Sequence, residues 1–214
     1  MNDWSHITTL VFDFGGVLID LDRQACIEAF RRLGLPIETL IPNNYHSVGP
    51  ARRLETGDIT AADFRRLIRT QSGRDFTDSA FDEAINAFLL AIPVEKLRLL
   101  RALRRRFRVL MLSNTNEIHM NYAYAHQFRA EGLDVTAYFD RLYLSYEMHL
   151  SKPDPRIFRS LLESEKLDAD ACFYLDDSTA NLATASQLGF HTYLVGEHQD
   201  LRPLFADVLD TDVT

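Results

Sequence analysis

The apolar residues of this chain follow two rhythms. Five short β-prone runs are dense in hydrophobic side chains: Thr8 to Phe12, Arg108 to Leu112, Arg141 to Leu144, Cys172 to Leu175 and His191 to Val195. Runs of this kind suit strands buried on both faces, as in a parallel sheet. Between them the spacing turns helical, over Val94 to Arg106, Glu117 to Arg129, Pro155 to Glu165 and Thr179 to Leu188, with Gly189 ending the last helix. Strands alternating with helices predict an α/β fold built on a doubly wound parallel sheet.

One stretch departs from the alternation. From Leu21 to Ile92 there are helical patterns at Arg23 to Leu33, Thr60 to Gln71 and Ser79 to Leu90, and no convincing strand. Thr60 stands three residues before Asp63, a capping-box-like start. Gly57, Gly73, Pro36, Pro42 and Pro50 punctuate the stretch. The prediction is a helical cap, residues 21–92, interrupting an α/β core made of residues 1–20 and 93–214.

Composition narrows the partners. The 214 residues are 46% hydrophobic with a formal net charge of −8, which argues against a nucleic-acid footprint. The basic run from Arg101 to Arg108 is a local exception. Arg98, Arg101 and Arg105 share a helix face and read as solvated side chains near a helix C-terminus. No apolar stretch approaches the roughly 20 residues of a membrane span, and the N-terminus carries no basic leader, so neither membrane nor export is expected. Cys26 and Cys172 are the only cysteines; they fit a reducing, cytoplasmic setting without disulfides. His119 and His126 lie two turns apart on one helix face, with nothing near in sequence to complete a metal site, and read as surface histidines. Oligomeric state is not legible.

The candidate chemistry sits just after the core strands. It comprises Asp13; Ser113 and Asn114, with Thr115 and Asn116; Lys152; and the pair Asp176–Asp177, with Asn181 one turn on. Ligands of open parallel sheets bind at the carboxyl ends of the strands, so these residues converge on one rim. Hydroxyl and amide donors, one lysine and several carboxylates suit a phosphate ester held with Mg2+, which prefers oxygen ligands.

Four segments resemble motifs of the haloacid dehalogenase-like (HAD) superfamily: Val11 to Val17, Leu110 to Asn116, Ser151 to Phe158, and Phe173 to Gly189. The segment Leu54 to Phe64 is similar to the cap of the branch containing glucose-1-phosphatase and the epoxide hydrolase N-terminal phosphatase. The resemblance implies a HAD-like Rossmannoid core and covalent catalysis through an aspartyl-phosphate on Asp13. It implies phosphate binding by Ser113, Asn114 and Lys152. It also implies Mg2+ held by Asp13, Asp177 and the backbone carbonyl of Gly15, with Asp176 in support, or with the two adjacent acids in exchanged roles. Gly15 departs from the pattern, because phosphatases of the superfamily carry a second Asp there as general acid and base. Such a group is worth about 10²–10⁴ in rate, so its loss predicts a preference for acidic leaving groups such as sugar 1-phosphates. His46, Glu55, His119 and Glu147 are the candidate stand-ins. A metal-free 2-haloacid dehalogenase and a non-catalytic binding protein are the competing readings.

Overall fold

The apolar runs become strands β1 (Thr9–Phe12), β2 (Arg108–Ser113), β3 (Arg141–Leu144), β4 (Cys172–Asp176) and β5 (His191–Leu194) in a computed structural model that describes residues 4–35 and 49–209. All four pairings are parallel, in the order β3-β2-β1-β4-β5. Strand order therefore reverses at β1, and a crevice opens where the connections depart to opposite sides. Phe12 pairs with Met111 on one side and Leu175 on the other. That register brings Asp13, Ser113 and Asp176 to one carboxyl edge.

The helices are α1 (Arg23–Arg32), α2 (Gly49–Glu55), α3 (Ala61–Ser72), α4 (Asp78–Asn86), α5 (Val94–Leu103), α6 (Glu117–Ala125), α7 (Ser145–Met148), α8 (Pro155–Glu165), α9 (Thr179–Gln187) and α10 (Ala206–Leu209). Alternate strand residues face opposite sides of a sheet. Leu10, Phe12, Val109, Met111 and Leu175 accordingly join one apolar cluster with α5, whereas Val11, Leu110, Leu112 and Tyr174 join another with α8 and α9.

The helices α1 to α4 have an apolar core of their own, centred on Phe81, whose ring lies 5.1 Å from Phe30, 5.6 Å from Phe64 and 5.0 Å from Phe76. Two crossings tie this insert to the sheet domain. Asp22 N–H donates to Phe88 O at 2.8 Å, Leu90 N–H donates to Asp20 O at 3.0 Å, and Leu21 bridges Leu89. Among the described residues, no helix is long and apolar enough to cross a membrane.

Helix ends differ from expectation for local reasons. The pattern from Glu117 to Arg129 breaks at His126, where φ is −126°, and continues as a 3-10 turn. The Ser79 to Leu90 pattern begins one residue earlier, capped by Thr77, and stops at Asn86 because the residues beyond it join the crossing. Thr60 does cap α3, accepting from Asp63 N–H at 3.1 Å. Helix α2 was not expected, since Pro50 reads as a breaker, yet proline is well suited to a first helical turn. Pro36, Pro42 and His46 lie outside the described residues.

Candidate active site

Asp13 leaves β1 at the strand-order reversal, its N–H donating to Leu175 O at 2.9 Å. Its Oδ1 accepts from Phe14 N–H at 2.7 Å and lies 2.8 Å from Lys152 Nζ. The same Nζ is 2.8 Å from Asp176 Oδ2. Lys152 is thus clamped between two carboxylates and is only 2% exposed.

Asp176 is saturated. Besides Lys152 it accepts from the Tyr174 hydroxyl, from Ser178 N–H at 2.7 Å and from Asn181 Nδ2 at 3.0 and 3.1 Å. Asp177 is exposed and faces Gly16 so closely that a Cβ on that glycine, which has φ of +77°, would collide with its carboxylate. Ligand oxygens of Asp13, Asp176 and Asp177 lie within 4.8 Å of one another. Three carboxylates around a single ammonium leave two negative charges without a counter-charge. Burial, opposed by Lys152 and reinforced by Asp176 and Asp177, pushes the Asp13 carboxyl up to about 7. Although the residue as a whole is exposed, its carboxylate is packed toward Gly16 and partly desolvated, and this and then Asp176 raise the pKa of Asp177 as well. Burial works against the Lys152 ammonium, but Asp13 and Asp176 outweigh it and hold its pKa above the usual lysine value. An all-oxygen donor set with excess negative charge fits a hard divalent cation.

Ser113 ends β2, buried at 1% exposure. The Asn114 side chain is engaged with the loop that carries Lys152. Its amide makes two reciprocal bonds to the backbone of Lys152, which ties the loop after β2 to the segment that carries the lysine. Thr115 N–H is taken by the buried Ser145 hydroxyl at 2.9 Å. Ser145 was missed from sequence, where it reads only as a polar residue after an edge strand. Tyr174 was missed too, because its hydroxyl is hidden in an apolar run.

The insert reaches this rim. Arg52 donates to Ser151 Oγ next to Lys152 and to Glu55 Oε1 at 3.1 Å. Glu55 O accepts from Ser145 at 2.7 Å, and His149 Nδ1 lies 3.0 Å from Thr56 O. Gly57, with φ of +69°, packs so closely on Tyr146 O that a Cβ there would collide with it.

His119 is not a surface histidine. Its Nε2 bonds Ile85 O at 3.2 Å, its Nδ1 meets Asn116 Nδ2 at 3.2 Å and its ring stacks on Phe88 at 5.8 Å. Burial lowers its pKa to about 4. A neutral ring with both nitrogens engaged is a poor stand-in acid. His126 lies beyond α6, so the two histidines do not share a helix face. A cleft of about 580 Å³ between α4 and α6, lined by Asp82, Asn86, Tyr122 and His126 among others, includes none of the rim residues.

Known proteins place this arrangement in context. The profile of the haloacid dehalogenase-like hydrolase family matches residues 7–189. A D-ribitol-5-phosphate phosphatase of Bacteroides thetaiotaomicron is 33% identical over 205 residues, 96% of this chain and 100% of that protein. A HAD family enzyme from the same organism, solved with magnesium and inorganic phosphate, is 40% identical with a TM-score of 0.87, covering 93% of this chain and 99% of the other. A HAD-like hydrolase of Porphyromonas gingivalis is 32% identical with a TM-score of 0.88, covering 96% and 98%. With the profile spanning most of its length and these relatives covered end to end, the chain belongs to the haloacid dehalogenase-like hydrolases.

Proposed function

We propose that this protein is a Mg2+-dependent phosphatase of small phosphorylated sugars or polyols, working through an aspartyl-phosphate on Asp13. The observation that carries the reading is the Asp13–Lys152–Asp176 clamp beside Asp177, a carboxylate-rich nucleophile site whose excess negative charge suits a cation. The similarity to a D-ribitol-5-phosphate phosphatase and to an enzyme solved with magnesium and phosphate supports it.

In this reading Asp13 Oδ attacks phosphorus while Lys152 holds the carboxylate in place and offsets incoming charge. The Ser113 hydroxyl and the backbone N–H groups that follow β2 bind phosphoryl oxygens. Asp176, saturated by its neighbours, fixes the lysine; Asp177, with Asp13 and the Gly15 carbonyl, provides the metal ligands. Bound there, Mg2+ would neutralise the excess carboxylate charge and that of the phosphate. Residues 21–92 act as the cap, docked through Arg52, Glu55 and Thr56, and shape the substrate pocket. The two free, buried thiols fit a reducing compartment, and we assign the protein to the cytoplasm.

The substrate's position of phosphorylation is contested by two arguments. The absent acid at residue 15 favours sugar 1-phosphates; the D-ribitol 5-phosphate relative favours terminal esters. Phosphate release with Mg2+ across p-nitrophenyl phosphate, sugar 1-phosphates and terminal polyol and sugar phosphates ranks them, with Asp13→Asn as control. Silence across the panel in folded protein turns the assignment to a binding role. Halide release from 2-haloacids without Mg2+ turns it to a dehalogenase, a reading against which the uncompensated acidic pair already weighs.

A further inference from the structure

Two glycines follow Asp13, and only one is demanded by the backbone. Gly16 has φ of +77° and packs on Asp177, whereas Gly15 lies outside the left-handed region, where any residue is tolerated. What opposes a side chain at residue 15 is a neighbour. A Cβ there would lie 3.2 Å from Leu21 Cδ1, 3.6 Å from Cδ2 and 3.8 Å from Cγ. The direction in which a side chain at residue 15 would start is therefore crowded by the isobutyl group of Leu21, whose Cδ1 would have to give way. Leu21 is held in place on two sides, by its bridge to Leu89 at the crossing into the insert and by packing against the main core. Both Gly15 and Leu21 remain partly exposed, so the surface they form is open to a ligand. Two of the candidate stand-in donors are engaged elsewhere: Glu55 is bonded to Arg52, and His119 is neutral and stacked on Phe88.

We propose that Leu21 is a specificity-determining residue that replaces the missing carboxylate with an apolar wall beside the departing oxygen. This rests on the phosphatase reading above. The P–Oester bond breaks as the Asp13 Oδ–P bond forms; its electron pair stays on the leaving oxygen, which takes a proton from water rather than from residue 15. Water then cleaves the aspartyl-phosphate, returning the Asp13 carboxylate and inorganic phosphate. Esters of acidic alcohols gain most from such a site, and a carboxylate reinstated at residue 15 has to displace Leu21 unless Leu21 is trimmed.

The test compares wild type, Gly15→Asp, Leu21→Ala and the double variant with Mg2+ on aryl phosphates of graded leaving-group acidity and on a simple alkyl phosphate. Thermal melting and circular dichroism of each variant accompany the rates. In wild type kcat/KM should fall steeply as the leaving group becomes less acidic, a measurement that needs no variant to fold. Gly15→Asp alone should melt lower and leave the slope unchanged. The double variant should flatten the slope and gain about 10²-fold on the alkyl ester, the lower end of what a general acid supplies. A flat wild-type slope overturns the inference, since another group then donates the proton. So does a Gly15→Asp variant that flattens the slope unaided, or a folded double variant with no alkyl gain. No phosphate from any ester in wild type removes the phosphatase reading itself, and this inference with it.

Discussion

Asn114 and Lys152, 38 positions apart in sequence, are joined as if they were paired strand residues. The Asn114 Nδ2 donates to Lys152 O at 2.9 Å and Lys152 N–H donates to Asn114 Oδ1 at 2.8 Å. The amide thus locks the loop after β2 to the loop that presents the lysine. Asn114→Ala removes both bonds and leaves partly buried backbone groups unpaired, each costing about 1–3 kcal/mol. The expected result is a loss of kcat of about tenfold or more, because a small misplacement of Lys152 weakens its contact with Asp13. Steady-state kinetics beside a urea melt check it, and a kcat unchanged in the destabilised variant would contradict the positioning role.

The two adjacent acids should separate by experiment. Asp176→Asn breaks a buried ion pair with Lys152 and should cost about 3–5 kcal/mol of stability. Asp177→Asn removes a carboxylate whose pKa is raised by burial and by Asp176, so the metal-free protein should be at least as stable as wild type while its Mg2+ affinity collapses. Chemical denaturation and calorimetric Mg2+ titration of both variants read the difference. Equal loss of stability in the two would sink the division of roles.

His119 makes stability depend on acidity. Its folded pKa is depressed from 6.5 to about 4. Below 6.5 the unfolded chain binds a proton that the folded ring refuses. The contribution is therefore intact above pH 6.5 and is lost progressively as pH falls toward 4, to a limit of about 3 kcal/mol. Protonation of Nδ1 would also face the Asn116 amide and disturb the cap of α6, whose Oδ1 accepts from His119 N–H at 3.0 Å. Urea melts of wild type and His119→Gln between pH 7 and 4.5 should converge at the acid end; parallel curves would remove the ring from the acid response.

Both thiols should be silent in the native state. Burial pushes Cys26 and Cys172 up to about 12 each, so almost no thiolate exists at neutral pH. A disulfide reagent is expected to label neither within minutes in buffer and both in urea. Prompt labelling of native protein would mean that one of these elements opens readily.

Gly57 sets how the insert seats. Its φ of +69° and its contact with Tyr146 O leave no space for a methyl group. Gly57→Ala should cost more than about 1 kcal/mol and raise KM, since the same segment carries Glu55 and Thr56 onto the rim. Melting and kinetics together check it; an unchanged KM would detach this contact from substrate binding.

Much was legible before any coordinates. The strands were found to within a residue at each end because a parallel sheet buries both faces of its central strands, and the continuous apolar runs of β1, β2 and β4 record that directly. The candidate residues Asp13, Ser113 and Asp176–Asp177 were legible for a topological reason, since each ends or directly follows an apolar run, whereas Lys152 stands beyond α7, in the segment before α8. The strand rhythm of the sequence stops near Leu21, which in the fold pairs with Leu89 across the start and end of the helical stretch. Helix α2 and the end of α4 were misread, since local propensity is overridden by a proline in a tolerated position and by tertiary pairing.

The sequence by itself determined the α/β alternation, the set of polar groups at the strand ends and the absence of an acid at residue 15, because each is written in residue type and order. Only the tertiary structure decided how those groups divide their work. It committed Asn114 to the Lys152 backbone, saturated Asp176, left Asp177 open, neutralised His119 and filled the place of the missing acid with Leu21. Each of these depends on which atoms of distant segments meet within hydrogen-bond or van der Waals reach, and on how burial shifts the charge of what meets there.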